Sequence, residues 1–391
     1  MTIIENTNLC NGCHACYSIC PDDAIAMKEN SEGFLFPNIN CGKCDECGLC
    51  KKTCPMNKTQ IERTGESKLP RTFAVTHKNE EILLNSSSGG AFTLFAEQVI
   101  NEGGVVFGAR FNENWEIIHD YAETLEGLAA FRRSKYIQSR IGDVYKQVKN
   151  FLTETNRNRK VLFVGSPCQI GGLKSYLQKD YENLICADFI CAKMPSPKVW
   201  RKYIEYHEKK QGSKITRIAQ RVKKNHRWAP FYVLISFADG RQRYILNNFD
   251  LFKGSWHDNL FLRKSCHNCG FKTANRNSDI TFADFWGIQD IAPEAYDSRG
   301  TSLVSVHSSE GQKFFDLVKY GAKFLEVNSE ETFRHHRRRN ALFSQTMSER
   351  RTAFMEDIDR LPFDKLIKKY VKISFIRKVY RNVKVVLFGI R

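Results

Sequence analysis

The sequence predicts an α/β protein with a short cysteine-rich module in front and a basic helical tail behind. Three observations carry that expectation. Nine of the fourteen cysteines fall between Cys10 and Cys54, most of them at repeated two-residue gaps. From Arg71 onward, apolar runs rich in branched and aromatic residues alternate with helical periodicity. From Lys365 to Arg391, nine Lys or Arg occur without an Asp or Glu.

The front module contains two runs of one spacing. C-N-G-C-H-A-C-Y-S-I-C-P places Cys10, Cys13, Cys16 and Cys20 before Pro21, and C-D-E-C-G-L-C-K-K-T-C-P places Cys44, Cys47, Cys50 and Cys54 before Pro55. This is C-x2-C-x2-C-x3-C-P twice, the pattern of two-cluster ferredoxins. Two-residue gaps let three thiolates wrap one face of a cubane while backbone N–H groups point at its sulfurs. The fourth cysteine, one helical turn on, reaches the other cluster. The expected [4Fe–4S] ligand sets are therefore Cys10, Cys13, Cys16 and Cys54, and Cys20, Cys44, Cys47 and Cys50. Structural zinc would give no reason for the repeated proline. Cys41 offers a rival frame with Cys44, Cys47 and Cys50, but Pro55 favours the later frame and leaves Cys41 spare. Disulfides fit poorly in a large chain without an export signal.

Residues 58–70 are polar and read as a linker. The expected domains are a ferredoxin-type module at 1–60, an α/β segment at 71–150, a second at 158–345 and the tail at 346–391.

T-F-A-V-T-H (72–77) reads as a strand. Phe92, Phe95, Ala96 and Val99 then recur at helical spacing until Gly103-Gly104 stops the helix. The serines and glycines from Ser86 to Gly90 precede that helix, where unpaired N–H groups form an anion site; a simple serine cap fits the same residues. K-V-L-F-V-G (160–165) reads as a buried strand, S-P-C-Q-I-G-G as a turn, L-K-S-Y-L-Q-K as a helix and L-I-C-A-D-F-I (184–190) as the next strand. Such a unit makes a right-handed crossover with parallel strands. Cys168 and Cys191 then lie together past the C-terminal ends, at the edge where open α/β sheets bind ligands. They are the expected partners of the C-x-x-C pair Cys266 and Cys269. On spacing alone, an iron–sulfur cluster, a zinc ion, or two buried cysteines beside an idle pair all remain open. Cys186 lies inside its strand and reads as a buried apolar residue.

Residues 226–246 read as a β-hairpin turning at Asp239-Gly240. His226 or Trp228 lines a substrate pocket in one reading; a plain solvent-facing strand fits as well. Trp286, two residues after Asp284, packs on a cluster or ring, or serves only the core.

The formal net charge is +17, which favours an acidic protein, a phosphorylated cofactor or an anionic membrane as partner. Nucleic acid is not expected, because no zinc-finger or RNA-binding motif accompanies the charge. No apolar run is long enough to read as a membrane-spanning helix, and the N-terminus lacks a secretory pattern, so a cytoplasmic location is expected.

S-S-S-G-G-A-F (86–92), S-K-Y-I-Q-S (134–139), G-S-P-C-Q-I-G-G-L (165–173), D-F-I-C (188–191), P-S-P (195–197), S-C-H-N-C (265–269) and D-I-T-F-A-D-F-W-G (279–287) occur in that order. With them, residues 5–330 resemble the beta-subunit family of coenzyme F420-reducing hydrogenases and dehydrogenases. The resemblance implies an α/β flavin- and cluster-binding region behind the ferredoxin-type module. It implies FAD and a third [4Fe–4S] cluster held by Cys168, Cys191, Cys266 and Cys269. Ser87, Ser88, Gly89 and Gly90 are implied to face the FAD phosphates or ring, and Lys135, Tyr136, Gln138 and Ser139 to help hold the flavin. F420 itself is not assigned to this chain by the resemblance. The implied activity is that of a flavin-dependent oxidoreductase reducing a small organic or sugar-linked substrate, with a link to surface polysaccharide synthesis. Its electrons come from a ferredoxin-like donor or partner redox subunit. A relay subunit of a larger complex and a non-catalytic cluster-binding sensor are the alternatives. Relatives usually continue the Cys191 position with His-Gly, whereas Ala192-Lys193 stands here, which puts a role for that histidine in doubt.

In the tail, Leu366, Ile367, Tyr370, Val371 and Ile373 interleave with lysines at helical spacing. A basic amphipathic helix can lie on an anionic membrane surface, which makes a membrane-peripheral location one expectation; packing on the domain is the other.

Overall fold

The computed structural model describes residues 2–57, 69–153, 159–255, 258–274, 276–341 and 347–371. Residues 58–68 of the expected linker and the tail beyond Val371 lie outside the described residues.

The front module holds α1 (Ala15–Ile19), the antiparallel pair β1 (Ile25–Glu29) and β2 (Leu35–Ile39), and α2 (Leu49–Thr53). Its halves repeat at the backbone level, in step with the two cysteine runs that begin at Cys10 and Cys44. Gly12 and Glu46 both adopt positive φ, at 63° and 59°, and so do the helix caps His14 and Gly48, at 66° and 73°. At each of these paired positions one half has glycine and the other a non-glycine residue in a conformation that favours glycine.

The chain continues through β3 (Arg71–His77), α3 (Glu80–Asn85), α4 (Ala91–Asn101), β4 (Val105–Phe111), β5 (Ile117–Ala122) and α5 (Val144–Thr153). It then runs through β6 (Val161–Val164), α6 (Pro167–Leu177), β7 (Leu184–Phe189) and α7 (Pro197–Gln211). A three-stranded antiparallel sheet follows, made of β8 (Ile215–Lys224), β9 (Arg227–Phe237) and β10 (Gln242–Leu246). The order ends with α8 (Leu251–Gly254), β11 (Ile280–Asp284), α9 (Ile288–Ile291), β12 (Ser302–Val306), α10 (Ser309–Val318), β13 (Ala322–Val327), α11 (Ser329–Ala341), α12 (Arg351–Glu356) and α13 (Phe363–Tyr370).

Eight strands form one mixed sheet in the order β13-β3-β12-β11-β7-β6-β4-β5. The four central strands, β11, β7, β6 and β4, are parallel, and antiparallel strands flank them on both sides. Alternate residues of β6 serve opposite faces. Leu162 joins the core under α4 and α10, while Val161 and Phe163 join the core under α5 and α6. Both faces are covered, so the parallel strands read as unbroken apolar runs.

The structure corrects one expectation and favours one of two alternatives in another. Ser166-Pro167-Cys168-Gln169 is not a turn but the start of α6: Pro167 fits the first helical position, and Ser166 and Gln169 form a capping box. Gly171 and Gly172 stay helical because both are wedged. A Cβ on Gly171 would meet the Phe271 ring at 2.6 Å, and one on Gly172 would meet Cys13 Cβ at 3.0 Å. In the tail, up to Val371, the structure favours the expectation of packing on the domain. Leu366, Ile367 and Tyr370 are buried with Trp200, Tyr203 and Phe354, so this apolar stripe faces protein rather than a bilayer. No described helix is long and apolar enough to cross a membrane.

The hairpin tip of the front module is seated on the second half of the chain. Arg351 is buried and grips Glu32 with both terminal guanidinium nitrogens, at 2.7 and 2.5 Å. Gly33, at φ 84°, presses on Lys198, where a Cβ would approach to 2.4 Å.

Candidate functional site

The crossover places Cys168 and Cys191 just past the ends of β6 and β7, whose register pairs Val164 with Ala187. The other two cysteines come from a short 3-10 turn, Lys264–Cys266, and the residues after it. Cys168, Cys191, Cys266 and Cys269 line one cavity, together with Asn11, Gln138, Ser166, Lys193, Arg263 and Lys272. Burial and the neighbouring thiols push the Cys168 thiol up to about 12 and Cys191 well above its ordinary value. Four half-buried cysteines whose thiolates would repel one another form a donor set that calls for a cationic centre.

In the front module the members of each expected crossed set lie near one another. Cys20, Cys44, Cys47 and Cys50 line one cavity. Cys10 and Cys54 both act on Cys16, whose thiol is raised by burial and by their charge. Backbone amides point at the sulfurs in matching places: Ala15 and Leu49 at Cys13 and Cys47, Tyr17 and Lys51 at Cys16 and Cys50. Cys41 is exposed and outside both sets, and Cys186 is fully buried in β7. Among the described residues no three His, Cys, Asp or Glu side chains are arranged for a single metal ion; the ferredoxin-type sets share this with the third set.

The first set faces inward. Cys13 packs on Gly172 of α6, one turn from Cys168. The second set faces out, with Cys47 exposed. Arg263 joins the first set to the third. Its Nε donates to the Cys10 carbonyl at 2.7 Å, and its own carbonyl accepts from the Cys266 amide at 3.0 Å. Gln138 lies beside it, accepting from Arg263 Nη1 at 3.0 Å and donating to the Asn11 carbonyl at 2.8 Å.

The remaining expected flavin contacts are spread along a partly buried basic corridor. Ser87 Oγ accepts from the Ser134 amide at 2.7 Å, Ser88 Oγ donates to the Thr301 carbonyl at 2.8 Å, and the Gly89 amide donates to Ser302 Oγ at 2.8 Å. Gly90, at φ 87°, caps α4. Lys135 stands in a loop, not on a helix; its ammonium donates to the carbonyls of Phe131, Arg132 and Arg133, and burial lowers it to about 7. The Tyr136 ring lies 3.0 Å beneath Lys253 Nζ. Ser139 accepts from Gln169 Nε2 through its hydroxyl and carbonyl.

Sequence reasoning missed four neighbours: Arg221, Lys223, Lys253 and Arg263. Arg221 is buried at φ 60° beside a β-bulge in β8, pairs with Asp284 at 2.6 Å and lies 3.5 Å over the Phe231 ring. Lys223 donates to the carbonyls of Leu83 and Ser88 and is lowered to about 7, first by burial and then by Arg133. Lys193 is lowered to about 8, by burial and by Lys272. Basic residues two apart on a strand, at 221 and 223, were a usable signal. Arg263 had none. His226 adopts φ 56° in the turn between β8 and β9, whereas Trp228 donates to the Ser87 carbonyl at 3.1 Å and packs on Trp286 at 4.5 Å.

Residues 158–332 match the family described as the C terminus of the coenzyme F420 hydrogenase/dehydrogenase beta subunit. Residues 9–58 match the 4Fe-4S dicluster domain, so the front module binds [4Fe–4S] clusters. An uncharacterised protein of Methanocaldococcus jannaschii is 24% identical over 46% of this chain and 56% of its own length. The coenzyme F420-dependent sulfite reductase of the same organism is 26% identical over 44% of this chain and 26% of its own length. One of the subunits of the F(420)H(2) dehydrogenase of Methanosarcina mazei is 22% identical over 82% of this chain and 85% of its own. The chain thus spans about half of the first relative and a quarter of the second. Among solved structures, a chain of the F420-reducing [NiFe] hydrogenase complex from Methanosarcina barkeri matches 79% of this chain and 95% of its own, with 17% identity and a TM-score of 0.46. The chain is an iron–sulfur protein similar to a subunit of one oxidoreductase and to part of another.

Proposed function

We propose that the chain is the relay subunit of a larger redox complex, linking a one-electron and a two-electron partner through three [4Fe–4S] clusters and a flavin nucleotide. The observation that carries this reading is the convergence of Cys168, Cys191, Cys266 and Cys269 on one cavity whose wall includes Asn11 of the front module. The sets then form a line from the exposed Cys47 edge, through the first set, to the sheet edge.

A bound flavin supplies the exchange between single electrons and electron pairs. The chain's own residues supply its setting. Arg133, Arg221, Lys223 and Lys253 form a partly buried positive corridor, with Asp284 beside Arg221 and Asp250 beside Lys253 as counter-charges. An excess of cations in such a setting favours an anionic ligand such as a nucleotide pyrophosphate. Arg133 Nη1 and Arg221 Nε are buried donors without a hydrogen-bond partner among the described residues, which adds to that reading. The relative named as a dehydrogenase subunit favours a relay within an assembly over a self-contained reductase.

Anaerobic purification followed by iron, sulfide and flavin quantification tests the scheme. About twelve iron and one flavin per chain are expected. About eight iron removes the third cluster, and absence of flavin removes the electron-pair converter.

A further inference from the structure

We propose that Arg263 is a positioning residue that locks the first ferredoxin-type set against the third cysteine set and screens the charge between the two clusters. The proposal rests on the reading that the third set holds a cluster. The iron count of the unmutated protein tests that reading separately, before any variant is made.

Arg263 is 2% exposed. Its fork is engaged on both sides of the joint. Nε donates to the Cys10 carbonyl at 2.7 Å, Nη2 to the Leu35 carbonyl at 2.8 Å and Nη1 to Gln138 Oε1 at 3.0 Å. Nη2 also stands 3.7 Å from Cys10 Sγ, and the guanidinium lies 4.5 Å from the Phe36 ring centre. Its backbone belongs to the third set: the amide donates to Met194, and the carbonyl accepts from Cys266. A single residue thus runs from the sulfur of one set to the amide of a sulfur ligand in the other. Gly12 leaves the space for this approach, because a Cβ there would stand 2.9 Å from the guanidinium.

Among the described residues no carboxylate forms an ion pair with Arg263. Its oxygen partners are neutral, and they do not balance a buried full charge. The charge that balances it is that of the thiolate-bound clusters on either side. Two neighbouring anions in a buried setting repel, so reducing one makes the other harder to reduce. A fixed cation between them offsets that repulsion and holds both potentials up. Arginine suits the place better than lysine because it keeps its charge when buried and donates in three directions at once.

The test is anaerobic redox titration of the full chain, followed by EPR, with iron counted in every variant. For R263Q with full iron, the midpoint potentials of two of the three clusters shift downward and the gap between their reductions widens, while the third signal is unmoved. R263K keeps the charge and returns both potentials towards the unmutated values. R263Q with full iron and unshifted potentials overturns the proposal, as does a downward shift equal in R263K and R263Q. If R263Q fails to retain iron, R263K decides: potentials close to the unmutated ones support the screening role, and lowered ones overturn it. Loss of iron from both variants also overturns it, because the side chain is then needed to build the module and its charge has no separable effect.

Discussion

Replacing Gly172 with alanine tests whether the front module and α6 are in hard contact. In an ordinary helix interior this change stabilises by about 1 kcal/mol, because glycine is the poorer helix former. Here the added methyl would stand 2.8 Å from Tyr145 Oη, 3.0 Å from Cys13 Cβ and 3.1 Å from Cys13 Sγ, inside the ~3.5–4.0 Å of ordinary carbon contacts. Neither neighbour gives way cheaply. Tyr145 is fully buried and donates to the Gln169 carbonyl at 2.7 Å, and Cys13 belongs to a cluster set. Overpacking costs about 1–3 kcal/mol, so the helix gain is cancelled and a net loss of about 0–2 kcal/mol remains. Thermal unfolding under anaerobic conditions reads the sign, and EPR reads whether the first-set signal broadens. A G172A protein that gains the full helix benefit, with unaltered spectra, would refute the reasoning.

C168S or C191S is expected to lower iron by about four per chain while the dicluster signals persist; simultaneous loss of all cluster signals would count against separate sites. R351A leaves Glu32 without its cation, so about 3–5 kcal/mol of docking stability is expected to disappear, read as a lower melting temperature and faster proteolysis at the hairpin tip. Lys135 and Lys223 each have folded values lowered to about 7 against 10.5, chiefly by burial. Their charged forms therefore cost stability in full below about 7, and the cost fades as pH rises from about 7 to 10.5. The stability difference between the unmutated protein and K135M should narrow across that window, and a difference that is flat with pH would contradict the burial of a charged lysine.

Much of the site was legible because its signals are local. The cysteine gaps define both ferredoxin-type sets, and the strand–helix–strand unit at 160–190 carries Cys168 and Cys191 to one edge without knowledge of the rest of the sheet. The Asp239-Gly240 turn likewise announces β9 and β10, which pair Gln242 with Ser236. What stays hidden depends on distant partners. Nothing near Arg263 signals that its side chain will meet Cys10, at the far end of the chain. The family motif offers Gln138 as a flavin contact, yet its amide joins Asn11 to Arg263. The strand T-F-A-V-T-H is visible in the sequence, but its place between β12 and β13 is set by pairing with segments from the last third of the chain.

The residues that seat the front module are made long after it. Arg263 and Arg351 follow Asn57 by some 200 to 300 positions in the chain, which at about 5–20 residues per second is on the order of 10–60 seconds of synthesis. Until Gly172 is made Cys13 has nothing to press against, and until Arg263 is made Cys10 has no guanidinium beside it. The eight thiols of the front module's two sets are therefore all made, and open to cluster loading, before the chain that follows closes over the inner four.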